Sequence, residues 1–283
     1  MQIRLLCIGD LVGRPGRYIL SEHLDSIVKE NDIDCVIVNA ENAAGGSGLT
    51  PQIYEKLIRY GVSVITLGDH LYRKREIIEI MHNSDRIVRP ANLSPQAAGK
   101  EWTLFTTNRG AQVAVISLLG RIFMSVPTDN PFHAVERILP KIPSDVKIIV
   151  LDMHAEATSE KIAMGWFLNG KVSLVYGTHT HVQTADEEIL SRGTAYITDL
   201  GMTGPHESVL GRNIEPVLKS LTNQMPYPYS IANQDIRLNG IIVTVDSHTG
   251  HALDIKRISV KETNFPDSAY DQNDGKPNHN MMM

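Results

Sequence analysis

Short apolar runs alternate with amphipathic segments along the first two-thirds of the chain. Residues 3–8, 35–38, 62–67, 113–118, 146–151 and 172–176 are brief, apolar and bounded by turn formers, which predicts buried strands. Between them, residues 17–30 place Tyr18, Leu20, Leu24, Ile27 and Val28 near helical spacing. Residues 51–60, 73–82, 131–139 and 158–167 read as further helices, two of them opening on proline. Strand, helix, strand at this spacing predicts an α/β sheet with helical crossovers.

After about residue 185 the rhythm changes. Residues 188–190, 194–198, 240–246 and 252–260 read as strands separated by tight turn signals. They predict antiparallel hairpins that complete the first sheet or pack on it. Nothing between the halves looks like a linker, so a single domain over 1–263 is expected. Residues 264–283 are polar, end in a methionine run and read as a frayed tail.

Composition narrows the function. Lys and Arg total 27 against 32 Asp and Glu, a net charge of -5, which argues against a protein that wraps long nucleic acid. No run approaches the roughly 20 apolar residues of a membrane helix, and the start lacks the pattern of a signal peptide. The two cysteines, Cys7 and Cys35, lie inside apolar runs and read as buried hydrophobes rather than a disulfide framework. A cytoplasmic location is expected.

Chemistry gathers where the apolar runs end. In an open α/β sheet, ligands collect just past the C-terminal ends of the strands. The runs here give way to Gly9-Asp10, Asn39-Ala40-Glu41-Asn42, Gly68-Asp69-His70, Asp152-Met153-His154 and Gly177-Thr178-His179-Thr180-His181. Taken singly, Asp10 and Asp69 read as helix caps, and His154 as a hydrogen-bonded core residue. His179 and His181 stand two apart, which in an extended segment puts both imidazoles on one face. Burying such a pair opposite acidic strand ends without a partner is costly.

Mixed oxygen and nitrogen donors suit Mn, Fe or Zn better than Ca or Mg. Asp10, Glu41, Asn42, Asp69, His154, His179 and His181 are too many for one tetrahedral zinc. They match two metals roughly 3.5–4 Å apart sharing a carboxylate, a tool for in-line phosphoryl displacement by a metal-bridging hydroxide. Three carboxylates against two divalent cations leave about one positive charge, which a phosphodiester anion would balance.

These segments, and above all the run from Gly177 to Asp186, resemble the calcineurin-like metallophosphoesterase superfamily. Within it, the Asn-Ala-Glu-Asn second motif is similar to that of the bacterial cyclic-nucleotide phosphodiesterase branch. The likeness extends over most of the chain, including residues 198–205 and 246–252.

The resemblance implies a four-layer metallophosphoesterase sandwich, an α/β fold with two mixed β-sheets flanked by helices. It implies that Asp10, Glu41 and His181 hold one metal with Asn42 nearby or ligating. Glu41, Asp69, His154 and His179 would hold the other, and Glu41 would bridge. The implied metals are Fe or Mn, with Zn as an alternative. His70 would be the general acid that protonates the leaving ribose oxygen. The implied substrates are 2′,3′- or 3′,5′-cyclic nucleotides or similar small phosphodiesters, and the implied assembly is a homo-oligomer. A phosphomonoesterase, a nuclease, or a metal- and nucleotide-binding regulatory protein are the alternatives.

Two departures stand out. Asp10 is followed by Leu11-Val12 where the wider superfamily has Asp-x-His, a loss this branch shares. The third motif is usually Gly-Asn-His, but here reads Gly68-Asp69-His70. The added charge is expected to tighten metal binding, weaken the pull on phosphate, and pair with His70 or raise its pKa. Residues 43–48 are glycine-rich and read either as a phosphate-approaching loop or as a connection into the helix at Pro51. Arg14 and Arg17 read as solvated surface residues, with contact to a substrate phosphate as the alternative, and residues 201–204 as a pocket wall or a tight turn.

Overall fold

The computed structural model describes residues 1–262. The expected tail at 264–283 lies outside the described residues. The first half runs β1 (Gln2–Ile8), β2 (Asp10–Leu11), α1 (Gly13–Glu30), β3 (Cys35–Asn39), α2 (Pro51–Arg59), β4 (Val64–Thr66), α3 (Ile78–Asn83), β5 (Ile87–Val88), β6 (Trp102–Thr106) and β7 (Gln112–Leu119). The second half runs α4 (Pro131–Ile138), β8 (Ile148–His154), α5 (Thr158–Leu168), β9 (Leu174–Thr178), β10 (Glu188–Ile189), β11 (Ala195–Ile197), β12 (Met202–Pro205), α6 (Ile214–Asn223), β13 (Ile236–Asp246) and β14 (Ala252–Glu262).

The strands form two mixed sheets. The first has the order β2-β12-β13-β1-β3-β4-β5, with β14 paired along β13. The second has the order β10-β11-β9-β8-β7-β6. In the first sheet β1, β3, β4 and β5 are parallel, and β13 runs against β1. In the second, β7, β8, β9 and β11 are parallel, and β6 and β10 close its edges antiparallel.

Strand alternation builds the layers. Ile3, Leu5, Cys7, Cys35, Ile37 and Val64 point inward and pack against Val113, Val115, Val150 and Leu174 of the opposing sheet. Their neighbours Leu6, Ile8, Val36 and Val38 point the other way, onto Leu20, Leu24, Leu57 and Met81 of α1, α2 and α3. The outer face of the second sheet packs Ile116, Leu151 and Val175 against Val135, Ile138, Met164 and Leu168 of α4 and α5. Period-two burial on both faces is what a sheet covered on both sides requires. The result is the four-layer α/β sandwich that the resemblance implied. Both cysteines sit between the sheets as unpaired thiols, and burial pushes Cys35 up to about 12.

The two late hairpins divide the expected roles: 188–198 joins the second sheet through β11 and β9 and so packs on the first, while β13–β14 completes the first. Other expectations need correction. The helix expected over 73–82 does not start there, because Lys74 is extended; a short 3₁₀ turn precedes α3. Residues 201–204, read as a pocket wall or a tight turn, supply most of β12, which lies between β2 and β13. Four further elements escaped the pattern: β2 and β5 are too short to register, β6 is a half-exposed edge strand, and α6 buries only Val217.

Candidate metal centre

Parallel strands end at the same edge of their sheet, so β1, β3 and β4 deliver their trailing residues together. The ends of β8 and β9 meet them from the opposing sheet. One ligand atom from each of Glu41, Asp69, His154 and His179 lies within 4.8 Å of the others. His154 Nε2 is 3.2 Å from Glu41 Oε1, 3.0 Å from Asp69 Oδ1 and 3.0 Å from His179 Nδ1. His179 Nδ1 is 3.4 Å from Asp69 Oδ1. Gly68 makes this approach possible, because a Cβ there would overlap Glu41 and the His154 ring.

A second group adjoins the first. Asn42 Nδ2 lies 3.2 Å from Glu41 Oε1 and 3.3 Å from His181 Nε2. His181 Nε2 is 3.9 Å from Asp10 Oδ1. The other Asp10 oxygen accepts from the His179 backbone N–H at 3.0 Å. His70 sits at the rim. Its backbone N–H donates to Glu41 Oε2, and its Nδ1 is 2.7 Å from Asn42 Oδ1.

All eight residues expected at the site therefore converge. Asp10 and Asp69 cap no helix, since α1 begins after Val12 and the turn before α3 after Lys74. The route to convergence differs from the expected one for the paired histidines. β9 stops at Thr178, and His179 and His181 take positive φ values of 98° and 64°. They do not share a strand face: His179 turns into the Glu41/Asp69/His154 group and His181 toward Asp10 and Asn42.

These donors fit a cation. Asp10 is fully buried, and its Oδ1 has no hydrogen-bond partner. An orphaned buried carboxylate oxygen is expensive unless something positive faces it. Burial pushes the Asp10 carboxyl up, against the pull of His181 and His154. Burial also works against charge on Glu41, yet His154 and His70 hold it below the usual carboxylate range. Asp69 overcomes its own burial and is held low by His154 and His179. Burial alone would keep the His154 ring neutral, but Glu41 and Asp69 hold it well above its ordinary value.

A ligating imidazole must be neutral, so cation uptake has to displace the proton that the raised His154 pKa retains at neutral pH. Uptake should release protons, and affinity should climb as pH rises. Calorimetry in two buffers of different ionisation enthalpy checks this; identical heats would contradict it.

Supporting residues fix the candidate ligands. Thr178 Oγ1 donates to Asp152 Oδ1 at 2.6 Å and so accepts from His154 Nδ1 at 2.8 Å, leaving Nε2 for the site. Asp152 also accepts from Asn39 and Thr66, and burial pushes it up to about 6 despite His154 and the two hydroxyls. His181 Nδ1 donates to the Leu210 carbonyl at 3.1 Å, and His179 Nε2 is 3.3 Å from Glu156. Asp152→Asn should weaken cation affinity about 10–100-fold, the usual cost of losing such a partner. A competition titration with a chromogenic chelator reads it, and unchanged affinity would show that the relay is idle.

Sequence reading missed Asp152, Thr178 and Glu156 as supports, although each lies within two residues of a ligand. It misplaced Arg17, which is buried and donates to the Ala43 carbonyl. It had no signal for Lys161 and Asp199, a fully buried ion pair at 2.7 Å whose carboxylate also holds Thr180.

A family model described as YmdB-like protein matches residues 6–258. The chain belongs to the YmdB-like family. A 2′,3′-cyclic-nucleotide 2′-phosphodiesterase of Bacillus subtilis (strain 168) is 42% identical over 260 residues, 92% of this chain and 98% of that protein. A hypothetical protein from Thermus thermophilus has a crystal structure that matches with TM-score 0.85 and 36% identity, covering 92% of this chain and 100% of that one. The crystal structure of a novel phosphatase from Mycoplasma pneumoniae matches with TM-score 0.86 and 34% identity, covering 93% and 95%. Membership in this metallophosphoesterase-type family agrees with the resemblance carried by the motifs of the YmdB-like chain. No helix among the described residues is long and apolar enough to cross a membrane.

Proposed function

We propose that this chain is a metal-dependent phosphodiesterase that hydrolyses 2′,3′- or 3′,5′-cyclic nucleotides or similar small phosphodiesters. The observation that carries this reading is the convergence of Glu41, Asp69, His154 and His179 within 4.8 Å, beside an orphaned Asp10 oxygen. The Bacillus subtilis relative's name supports the substrate class.

Asp10, Glu41, Asn42 and His181 would hold one cation, and Glu41, Asp69, His154 and His179 the other. Bound cations would supply Lewis acidity toward the phosphoryl group and an activated water. The remaining work falls to side chains. Asn42 Oδ1 accepts from His70 Nδ1 and fixes the ring, which leaves Nε2 to carry the proton for the departing ribose oxygen. Glu41 Oε1 and Asp69 Oδ2 lie 3.5 and 3.8 Å from the ring nitrogens. The cleft over these residues has a volume of about 250 Å³, the scale of a small ligand.

Full-length protein loaded with Mn²⁺ or Fe²⁺ should turn over cyclic nucleotides in preference to phosphomonoesters and oligonucleotides. A monoester preference would make it a phosphomonoesterase. Nucleotide binding without turnover, restored by Asp69→Asn, would make it a regulatory binder. Neither binding nor turnover with two cations present would end the reading.

A further inference from the structure

The glycine-rich turn at residues 43–48 found no role in the metal centre, and it has an unexpected partner. Arg212 follows β12 on a turn far along the chain, and its Nη2 donates to the Gly46 carbonyl at 2.9 Å. Gly46 has a φ of 81°, and a Cβ there would lie 2.8 Å from Arg212 Nη1, so the missing side chain makes room for the guanidinium. The Arg212 backbone is pinned as well: it exchanges hydrogen bonds with Val209 and bridges to Ile231.

Arg212 lines the same cleft as Glu41, Asn42, His70, His179 and His181. It is the only lysine or arginine on that wall among the described residues. No carboxylate among the described residues lies within ion-pair distance of it. Desolvation alone acts on its charge. A half-buried guanidinium with one carbonyl partner and no counter-charge is a poor structural element. It is well suited to a planar array of anionic oxygens, because its remaining N–H groups form a fixed fork.

We infer that Arg212 is a substrate-binding residue that takes the non-bridging phosphoryl oxygens of the bound phosphodiester. The assignment rests on the phosphodiesterase reading above. Gly46 sets the fork and the metal centre holds the phosphorus end, so the two grip one phosphate from different walls. The monoester product carries more charge than the diester, so Arg212 also favours product and orthophosphate.

The test compares metal-loaded wild type with Arg212→Met, Arg212→Gln, which can keep the bond to Gly46, and Arg212→Lys. KM for a cyclic nucleotide and the inhibition constant of orthophosphate should both rise about 10–100-fold in the first two variants, with kcat falling far less. Arg212→Lys should recover part of the loss. Metal content and melting temperature should stay at wild-type values. Unchanged KM and phosphate inhibition would overturn the inference. So would a rise in KM alone, which would place Arg212 on the nucleoside, or a loss of metal, which would make its role structural. If wild type hydrolyses no cyclic nucleotide, the function fails separately: calorimetric orthophosphate binding that still depends on Arg212 would uphold this assignment alone.

Discussion

His70→Ala should lower kcat on a cyclic nucleotide by about 10²–10⁴-fold, the ordinary worth of a positioned general acid. The same variant should lose far less on a nitrophenyl phosphodiester. A ribose alkoxide is a poor leaving group and needs a proton as it departs, whereas a nitrophenolate does not. The proposed role rests on how the ring is held. Its Nδ1 is committed to Asn42 Oδ1 at 2.7 Å, and its side chain remains 23% exposed at the cleft, whereas the His154 imidazole is sealed. Steady-state kinetics on both substrates decide the matter. An equal loss on the two would show that His70 positions the substrate and does not deliver the proton.

The second large effect concerns folding. Lys161 on α5 is 0% exposed and its Nζ donates to Asp199 Oδ2 at 2.7 Å. The same carboxylate accepts from the Thr180 backbone N–H and hydroxyl and from the Gly201 N–H. Lys161→Met leaves that carboxylate buried without its cation and should cost about 3–5 kcal/mol. The double change Lys161→Met with Asp199→Leu removes both charges and should recover much of it. Chemical denaturation of the metal-free protein measures this. A wild-type midpoint in Lys161→Met would show that the pair contributes nothing. Thr180 lies between His179 and His181, both at positive φ, so the single variant should also loosen the metal centre. Weaker cation binding in protein that still folds would register that link.

The centre was legible because its chemistry repeats at the ends of β1, β3, β4, β8 and β9. Asp10, Glu41, Asp69, His154 and His179 each follow or finish an apolar run, and the geometry of a parallel sheet gathers such positions at one edge. The supports were less legible because the same residue types serve ordinary structure. Asp152 and Thr178 read as polar residues at the ends of β8 and β9, and only packing shows that they form a relay to the His154 ring. Lys161 was hidden within a helix that reads as amphipathic. A lysine there is normally solvated, and its burial depends on Asp199, 38 positions away. Of the secondary structure, the apolar strands and the helices opening on Pro51 and Pro131 were plain. Segments that bury little, such as β6 and α6, left almost no periodic signal.

The amino-acid order by itself determined which residues could ligate, which faces had to be buried, and that the layers would be α/β. Alternation of side chains along a strand is a local property, and the chain states it directly. Tertiary structure alone decided that the 188–198 hairpin joins the second sheet, that His179 and His181 enter neighbouring groups from a turn, and that Arg212 reaches across to Gly46. Each of these depends on where distant backbone segments come to rest, and contacts between segments far apart in the chain leave no periodic trace in either one.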